Sequence, residues 1–517
     1  MESSGSPAPP AEGDPSSDAS PSKQPLPEVV NIAETGDIIL DVTFENSRAT
    51  IRSARRSLPR ASATAPPLRV HEPARPVPRS RVRLAFRVDL GVLRRQSKYF
   101  DKLLGDARFR EAQDIAGAFA ALSVRGVEPR AAAPADLPWV AIHDDDEATQ
   151  YAYRDAAFAD LLRVLHDRDA ATTQVTMPFV TTLAVLADRF DCAAAVSKYL
   201  TAGLKFKWPL TSRRPVGGGS SSSRDEALGP AMSRNTENIL RQKILVSWLL
   251  NQPGKFQAAT REIIMNGSCR WSYFGEEEGV DETTDATWWY LQDGLEQELQ
   301  YRRHCILNTV ASVQRHFLSL YTSRGAGAQQ CKLGYDSSAA CDSYQLGEMV
   351  KFLAHKRLLF LVDFSPASLD AVSDAALLSV DSLLAALRQC PAYQIDKNHS
   401  NCGLRTRFLP ILDFIQALLS ANSVPIARAT WKTNRQAAAW MPEADKNEPA
   451  GTKDDGGDNS RPFRFTRSMA GDQRLRYENA MGADKFAKEV FTATSWDWTA
   501  EDQGPDRISS TPKFSRK

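Results

Sequence analysis

A run of three glycines followed by serines, Gly217 to Ser223, separates two long stretches that are both rich in apolar residues. This composition is typical of a flexible linker. The run lacks the Lys-Ser/Thr ending of a phosphate-binding loop, and no predicted strand leads into it. We therefore interpret residues 211–234 as a linker. A single hydrophobic core stops growing at about 250–300 residues, so a chain of 517 residues is predicted to form two folded units with tails.

The stretch before the linker starts with strand patterns and ends with helix patterns. Apolar residues alternate between Ile38 and Phe44 and again between Leu84 and Val88, which is the spacing of half-buried strands. A short second strand at 49–51 is expected to form a hairpin with the first. Apolar residues at helical spacing then predict two amphipathic helices, over 158–165 and 179–190. This order predicts an α+β unit with a small sheet and a cluster of helices.

Two segments interrupt these patterns, and two others precede and follow the folded units. Residues 53–82 are rich in Arg and Pro and are interpreted as a surface insertion, because proline cannot donate to a sheet ladder. Residues 112–136 are interpreted as a second, long loop. Residues 1–30 and 431–517 have polar, low-complexity compositions that predict disordered tails.

The stretch after the linker, residues 235–430, has helical spacing throughout, and a long helix is predicted from about Trp288 to Tyr321. Within it, apolar residues recur every seven positions, which allows a coiled coil with a second chain. Arg303 interrupts the repeat, and packing of this helix onto the region's own core is the other interpretation. The repeating residues are Leu299, Ile306, Val313 and Leu320.

Several phrases in the chain resemble the BTB/POZ domain family, and in particular filamentous-fungal BTB proteins. The resemblance covers about 36–210, and residues 235–430 form a companion region with two further similar phrases. The residues that carry it are Asp37, Phe86-Arg87-Val88-Asp89, Leu93, Ser97-Lys98-Tyr99-Phe100, Phe109-Arg110-Glu111, Leu161-Leu162-Arg163-Val164-Leu165-His166 and Leu186-Ala187-Asp188-Arg189-Phe190-Asp191-Cys192, then Cys331-Lys332-Leu333-Gly334-Tyr335-Asp336 and Cys390-Pro391-Ala392-Tyr393-Gln394-Ile395-Asp396.

The resemblance implies a BTB/POZ-like domain over 31–210, with the insertions at 53–82 and 112–136. Such domains bind proteins, either a second copy of themselves or a partner such as a cullin scaffold, and catalyse no reaction. It implies a non-enzymatic scaffold or adaptor that acts in the nucleus, the cytoplasm or both, and requires no cofactor. The residues considered for partner contact are Leu93, Tyr99, Phe100 and Leu103; aromatic residues in this position also commonly belong to a domain's own core.

Charge and cysteine usage limit the alternatives. The net charge of +1 argues against a general attraction to nucleic acid or to acidic membranes. No apolar run approaches the roughly 20 residues that cross a bilayer. The N-terminus lacks the pattern of a signal peptide, and the seven scattered cysteines include no Cys-x-x-Cys pair, so reduced intracellular thiols are expected. The Arg-rich insertion leaves one alternative open, a nuclear DNA-associated regulator, although it lacks interleaved aromatic residues.

Two clusters contain the residue types found in metal or acid–base sites. Cysteine and histidine are the ligands that zinc favours, and a zinc-dependent activity would centre on Cys390, His399 and Cys402. Cys331 and Cys341 could contribute further ligands, but their separation in sequence is unlike that of a zinc knuckle, so thiols without metal are expected. The acidic run from His143 to Glu147 is interpreted as a solvated loop. No catalytic motif of the hydrolase, metalloprotease or dinucleotide-binding type occurs.

Overall fold

The computed structural model describes twelve segments of the chain. They are residues 27–57, 77–173, 175–211, 232–271, 286–323, 329–334, 336–361, 378–400, 402–442, 463–464, 483–493 and 496–497. Most of the predicted N-terminal tail, the predicted linker and residues 58–76 of the Arg/Pro insertion lie outside these segments. Within them, no helix combines the length and the apolar character needed to cross a membrane.

A small mixed sheet forms the centre of the first unit. Its strands are β1 (Val29–Asn31), β2 (Ile38–Glu45), β3 (Arg81–Val88) and β4 (Trp139–Asp144), in the spatial order β1-β3-β2-β4. β2 runs antiparallel to β3 and parallel to β4, and β1 runs parallel to β3. The alternating residues of β2 lie in the main core of this unit. The two strands predicted from alternation are thus confirmed. The 53–82 segment lies between β2 and β3 in sequence, and its last two residues belong to β3.

Helices cover both faces of this sheet. They are α1 (Arg48–Ser57), α2 (Leu90–Gln96), α3 (Lys98–Gly105), α4 (Arg110–Val124), α5 (Arg154–Leu165), α6 (Met177–Arg189) and α7 (Ala193–Lys198). The side chains of Asp89 and Ser97 accept hydrogen bonds from the first turns of α2 and α3, which fixes where each helix begins. The α+β architecture predicted for this unit is therefore present.

Two local predictions in this unit are wrong. Residues 49–51 belong to helix α1 and not to a strand, because the Ser47 hydroxyl accepts a hydrogen bond from the Thr50 N–H and caps the helix. Residues 112–136 do not form a continuous loop, because α4 occupies the first half. Its alanines favour helix, and Ile115 and Leu122, two turns apart, are both buried. Leu122 packs with Ile39 and Ala85 on the second face of the sheet.

In the described part of the chain from residue 234 onward, helices predominate, as predicted for residues 235–430. Its helices are α8 (Arg234–Leu249), α9 (Pro253–Asn266), α10 (Leu295–Thr322), α11 (Ser338–His355), α12 (Val380–Arg388), α13 (Leu404–Leu419), α14 (Arg428–Thr433), α15 (Arg435–Ala438) and α16 (Ala483–Thr492). A two-residue pair of parallel strands, β5 (Phe463–Arg464) and β6 (Trp496–Asp497), accompanies α16. Together with the small sheet of the first unit, these elements give a mostly helical molecule.

The seven-residue repeat on α10 faces the interior of its own region. Leu299, Ile306 and Val313 are fully buried in the second core. Arg303, which interrupts the repeat, is also buried and donates to the carbonyl oxygens of Ile264 at 2.9 Å and Leu378 at 2.5 Å. Since these residues are covered by neighbouring helices of the same chain, they are not available for a coiled coil with a second chain.

The prediction of a disordered tail over 431–517 is wrong at two places. Trp431 and Trp440 are buried in the second core. Further along, Ala487, Val490 and Phe491 place one apolar face of α16 in the same core, and Phe491 stacks on Trp440 at 5.8 Å between ring centroids. Polar residues dominate the average composition of this tail. The apolar face of the short amphipathic helix α16 is therefore not visible from composition alone.

Helix α8 contributes residues to both cores. Leu240 and Ile244 are buried in the second core, whereas Val246 and Leu250 at its C-terminal end are buried in the first. The Thr181 hydroxyl of α6 lies 3.4 Å from the side-chain oxygen of Gln242 on α8, in a buried position. The two units thus share a helix and are packed directly against each other.

His166 gives the first unit a dependence on pH. Its Nε2 accepts from the backbone N–H of Asp89 at 3.1 Å, and its Nδ1 lies 2.7 Å from the Leu162 carbonyl oxygen, which assigns the proton to Nδ1. Burial lowers the pKa of His166 below its usual value of 6.5, although the Leu162 carbonyl and Asp89 oppose that shift. The folded chain therefore favours the neutral ring.

We expect the unit to lose stability as pH falls from about 6.5 through the lower folded pKa, because the unfolded chain binds the proton first. Above pH 6.5 the contribution of His166 is fully present. Chemical denaturation at pH 7.5 and at pH 5.5 measures the loss. The His166→Gln variant keeps an acceptor for Asp89 but cannot titrate, and it should show a smaller loss than the wild type. Equal losses in the two proteins would contradict this assignment.

Candidate functional site

The four residues considered for partner contact occupy two different environments. Leu93 and Phe100 are fully buried in the first core. Tyr99 is 39% exposed, and Leu103 is partly buried. A partner can therefore reach Tyr99 and part of Leu103 on this surface, while Leu93 and Phe100 belong to the core of the unit itself.

The ring of Tyr99 packs against two buried aromatic rings. Phe100 stacks on Phe190 with 5.1 Å between ring centroids, and Tyr99 meets both rings edge-on at 5.5 Å and 5.3 Å. Leu103 follows Tyr99 by one helical turn, so the two residues share a face of α3. A large side chain held in one orientation loses little conformational entropy on binding, which is the property of a binding anchor.

The acidic run from His143 to Glu147 is only partly a solvated loop. Asp144 is buried and accepts from Arg154 at 2.6 Å and from Arg189 at 2.7 Å. Asp146 is also buried and accepts from the backbone N–H of Ser47 at 2.8 Å. These two carboxylates are fully engaged in tying β4 to the neighbouring helices, so the prediction of a solvated loop is wrong for them.

A cluster of three thiols and one imidazole lies in the helical region. The donor atoms of Cys331, Cys341, His399 and Cys402 all lie within 4.8 Å of one another. Cys331 Sγ is 3.4 Å from His399 Nδ1 and 3.6 Å from Cys402 Sγ, and Cys402 Sγ is 3.6 Å from His399 Nδ1. Cys341 and His399 are fully buried, Cys331 is nearly so, and Cys402 is half-buried.

Three chain segments meet at this thiol–imidazole cluster. Cys331 comes from the segment that precedes α11, and Cys341 lies in the first turns of α11. His399 ends a short 3-10 helix, and Cys402 lies two residues before α13. The side chain of Gln345 links α11 to the third segment, because it donates to the Tyr393 carbonyl and accepts from the Leu404 N–H.

The three thiols differ in acidity. Burial raises the pKa of Cys331, but hydrogen bonds from Ser338, the Leu333 N–H, Cys402 and His399 outweigh burial and lower it to about 7. Burial, followed by repulsion from Cys331 and Cys402, raises the pKa of Cys341 to about 12. Burial also raises the pKa of Cys402. Thiolates packed this closely repel one another, so negative charge on one thiol hinders ionisation of the next.

Cys390, a candidate ligand from sequence alongside His399 and Cys402, is not part of the cluster. Its thiol is buried in the second core and lies 3.8 Å from the Pro391 carbonyl oxygen. Burial raises its pKa to about 11. The three-residue set Cys390, His399 and Cys402 is therefore wrong as a ligand set, and Cys331 and Cys341 stand in place of Cys390.

A small cavity of about 170 Å³ lies where the two units meet. It is lined mainly by apolar side chains from α6, α8 and α10, among them Val185, Trp248 and Leu295, with Asp188 at one side. Pockets for cofactors and drug-sized ligands usually measure about 300–1,000 Å³, so this cavity is a packing feature of the junction between the units.

Comparison of the chain with protein-family models, with curated proteins and with solved structures found no match. The resemblance to BTB/POZ domains therefore rests on the residues quoted above, and function has to be argued from the surface around Tyr99 and from the thiol–imidazole cluster.

Proposed function

We propose that the chain is a non-enzymatic protein-interaction adaptor whose first unit is a BTB/POZ-like binding module. The observation that carries the proposal is the exposed Tyr99, held edge-on against the Phe100–Phe190 stack with Leu103 beside it on α3. A small sheet clustered with helices, as found here, is also the architecture that the resemblance implies. The partner is a second copy of this chain or a scaffold of the cullin type.

The interaction is tested by placing a charge on this face. Tyr99→Lys removes the exposed ring and introduces an ammonium group that is costly to bury without a partner. A binding anchor contributes about 2 kcal/mol or more, so self-association or scaffold binding should weaken about 30-fold. Sedimentation equilibrium of the full chain measures self-association. Titration with a purified cullin scaffold measures scaffold binding.

Val124→Lys is the matched control. Val124 ends α4 in the same unit and is 90% exposed, so the same added charge should leave binding unchanged. The adaptor proposal fails if the wild-type chain stays monomeric at high concentration and also binds no scaffold. If both variants weaken binding equally, general charge repulsion is the cause and Tyr99 is not the anchor.

A second candidate function, a DNA-associated regulator in the nucleus, is favoured by helix α1. This helix overlaps the start of the Arg-rich insertion, and its arginines are exposed: Arg48, Arg52, Arg55 and Arg56. Contacts of Arg with phosphate release counterions, so such binding weakens steeply as salt is raised. Retention on DNA that is absent, or that does not change with salt, would argue against this candidate.

A further inference from the structure

We propose that Cys331, Cys341, His399 and Cys402 bind one Zn²⁺ ion as a structural site that joins three segments of the helical region. Nothing in the adaptor proposal requires this site, so either proposal can fail without the other. The zinc proposal replaces the expectation from sequence that the thiols carry no metal and that no cofactor is needed.

The distances between the donor atoms fit a tetrahedral ion. Zinc lies about 2.3 Å from sulfur and 2.0–2.1 Å from nitrogen, so neighbouring corners of the tetrahedron are roughly 3.5–3.8 Å apart. The three separations among Cys331, His399 and Cys402 are 3.4–3.6 Å. Cys341 completes the set within 4.8 Å of the others. A disulfide between Cys331 and Cys402 would need their sulfur atoms at about 2.05 Å instead.

The residues around the cluster orient its ligands. The Ser337 hydroxyl lies 2.9 Å from Nε2 of His399, so the imidazole presents Nδ1 to the thiols. Asp396 accepts from the backbone N–H of His399 at 3.2 Å, and Asp342 accepts from the backbone N–H of Cys331 at 2.9 Å. Histidines that bind a metal usually have a hydrogen-bond partner on the second ring nitrogen, as Ser337 is for His399, and this partner fixes the tautomer and the ring orientation.

The ligand types indicate which metal binds, and the number of ligands indicates whether the site is structural or catalytic. Thiolates with imidazole in tetrahedral geometry are typical of zinc. Four protein ligands fill the coordination sphere, which distinguishes a structural site from a catalytic one with an open position. The positive ion offsets the repulsion among the three thiolates and displaces the protons that remain on them, so affinity falls as pH is lowered.

Metal content of the purified full chain tests the proposal directly. Inductively coupled plasma mass spectrometry of protein kept under reductant should give about one zinc per chain. Cys402→Ala removes the least buried ligand and should bring the zinc content close to zero. Cys390→Ala removes a buried thiol that lies outside the cluster, and it should retain the full zinc content.

A second measurement does not depend on any variant. Chain stripped with a chelator and refilled with Co²⁺ should show the intense visible absorption of tetrahedral cobalt with thiolate ligands, and zinc should abolish it. The proposal is overturned if the reduced wild-type chain carries no zinc and gives no such cobalt spectrum. Loss of zinc in Cys390→Ala together with retention in Cys341→Ala would also overturn it, because that result points to a different ligand set.

Discussion

Replacing Arg302 with methionine should lower the free energy of unfolding by about 3–5 kcal/mol, the range found when one partner of a buried ion pair is removed. Arg302 lies on α10 with its side chain 3% exposed, and it donates to Glu298 at 2.6 Å. Its guanidinium also donates to the carbonyl oxygens of Ser423, Pro425 and Ala438, at 2.6–2.8 Å. Methionine fills part of the volume but removes the donor of these carbonyls and the only cation paired with buried Glu298 among the described residues. Glu298 then keeps only backbone donors such as the Trp440 N–H at 2.7 Å.

Lys351→Met is the control for this variant. Lys351 forms an ion pair of similar length with Glu348, but its side chain is 75% exposed, and exposed pairs contribute about 0–1 kcal/mol. Urea denaturation of both variants and the wild type, followed by circular dichroism, measures the difference. Similar midpoints for the two variants would show that the Arg302 network does not hold the segment 423–438 against α10.

The second large effect is expected from Phe158→Ala. Phe158 is 1% exposed on α5 and meets the rings of Phe44, Phe86 and Phe190 at 5.5–5.9 Å between centroids. These rings come from β2, β3 and the end of α6, so the cavity opens where sheet and helices meet. Truncation of a buried Phe to Ala costs about 3–5 kcal/mol, which should appear as a lower denaturation midpoint.

Phe109→Ala provides the matched comparison, since the same truncation is made at a residue that is 41% exposed in the same unit. It should change the free energy of unfolding by less than about 1 kcal/mol, because surface substitutions have small effects. A Phe158→Ala variant as stable as Phe109→Ala would place the aromatic cluster outside the cooperative core.

The parts of the fold that could be predicted from sequence are those where burial has a simple period. β2 and β3 follow from alternation, and α10 follows from its apolar spacing. Residues 49–51 have strand-like composition, but the cap from Ser47 decides the local structure. The polar stretches on either side of α16 hide its apolar face, which only the second core reveals.

The thiol–imidazole cluster could be predicted only in part. His399 and Cys402 are three positions apart, so their pairing is visible in the sequence. Cys341 lies on a helix far away along the chain, and only the packing of α11 against the segment before α13 brings it to them. Cys390 is nearer to His399 in sequence but points into the core, so proximity along the chain selects the wrong ligand.

The sharing of α8 between the two cores has a geometric consequence for an adaptor. Val246 and Leu250 are buried in the first core, while Leu240 and Ile244, on the opposite face of the helix, are buried in the second. The two units are therefore joined through the packing of one helix, in addition to the chain that connects them in sequence. Under the adaptor proposal, a partner bound at Tyr99 would sit on a unit that packs against the helical region, despite the glycine and serine run between the two units in sequence.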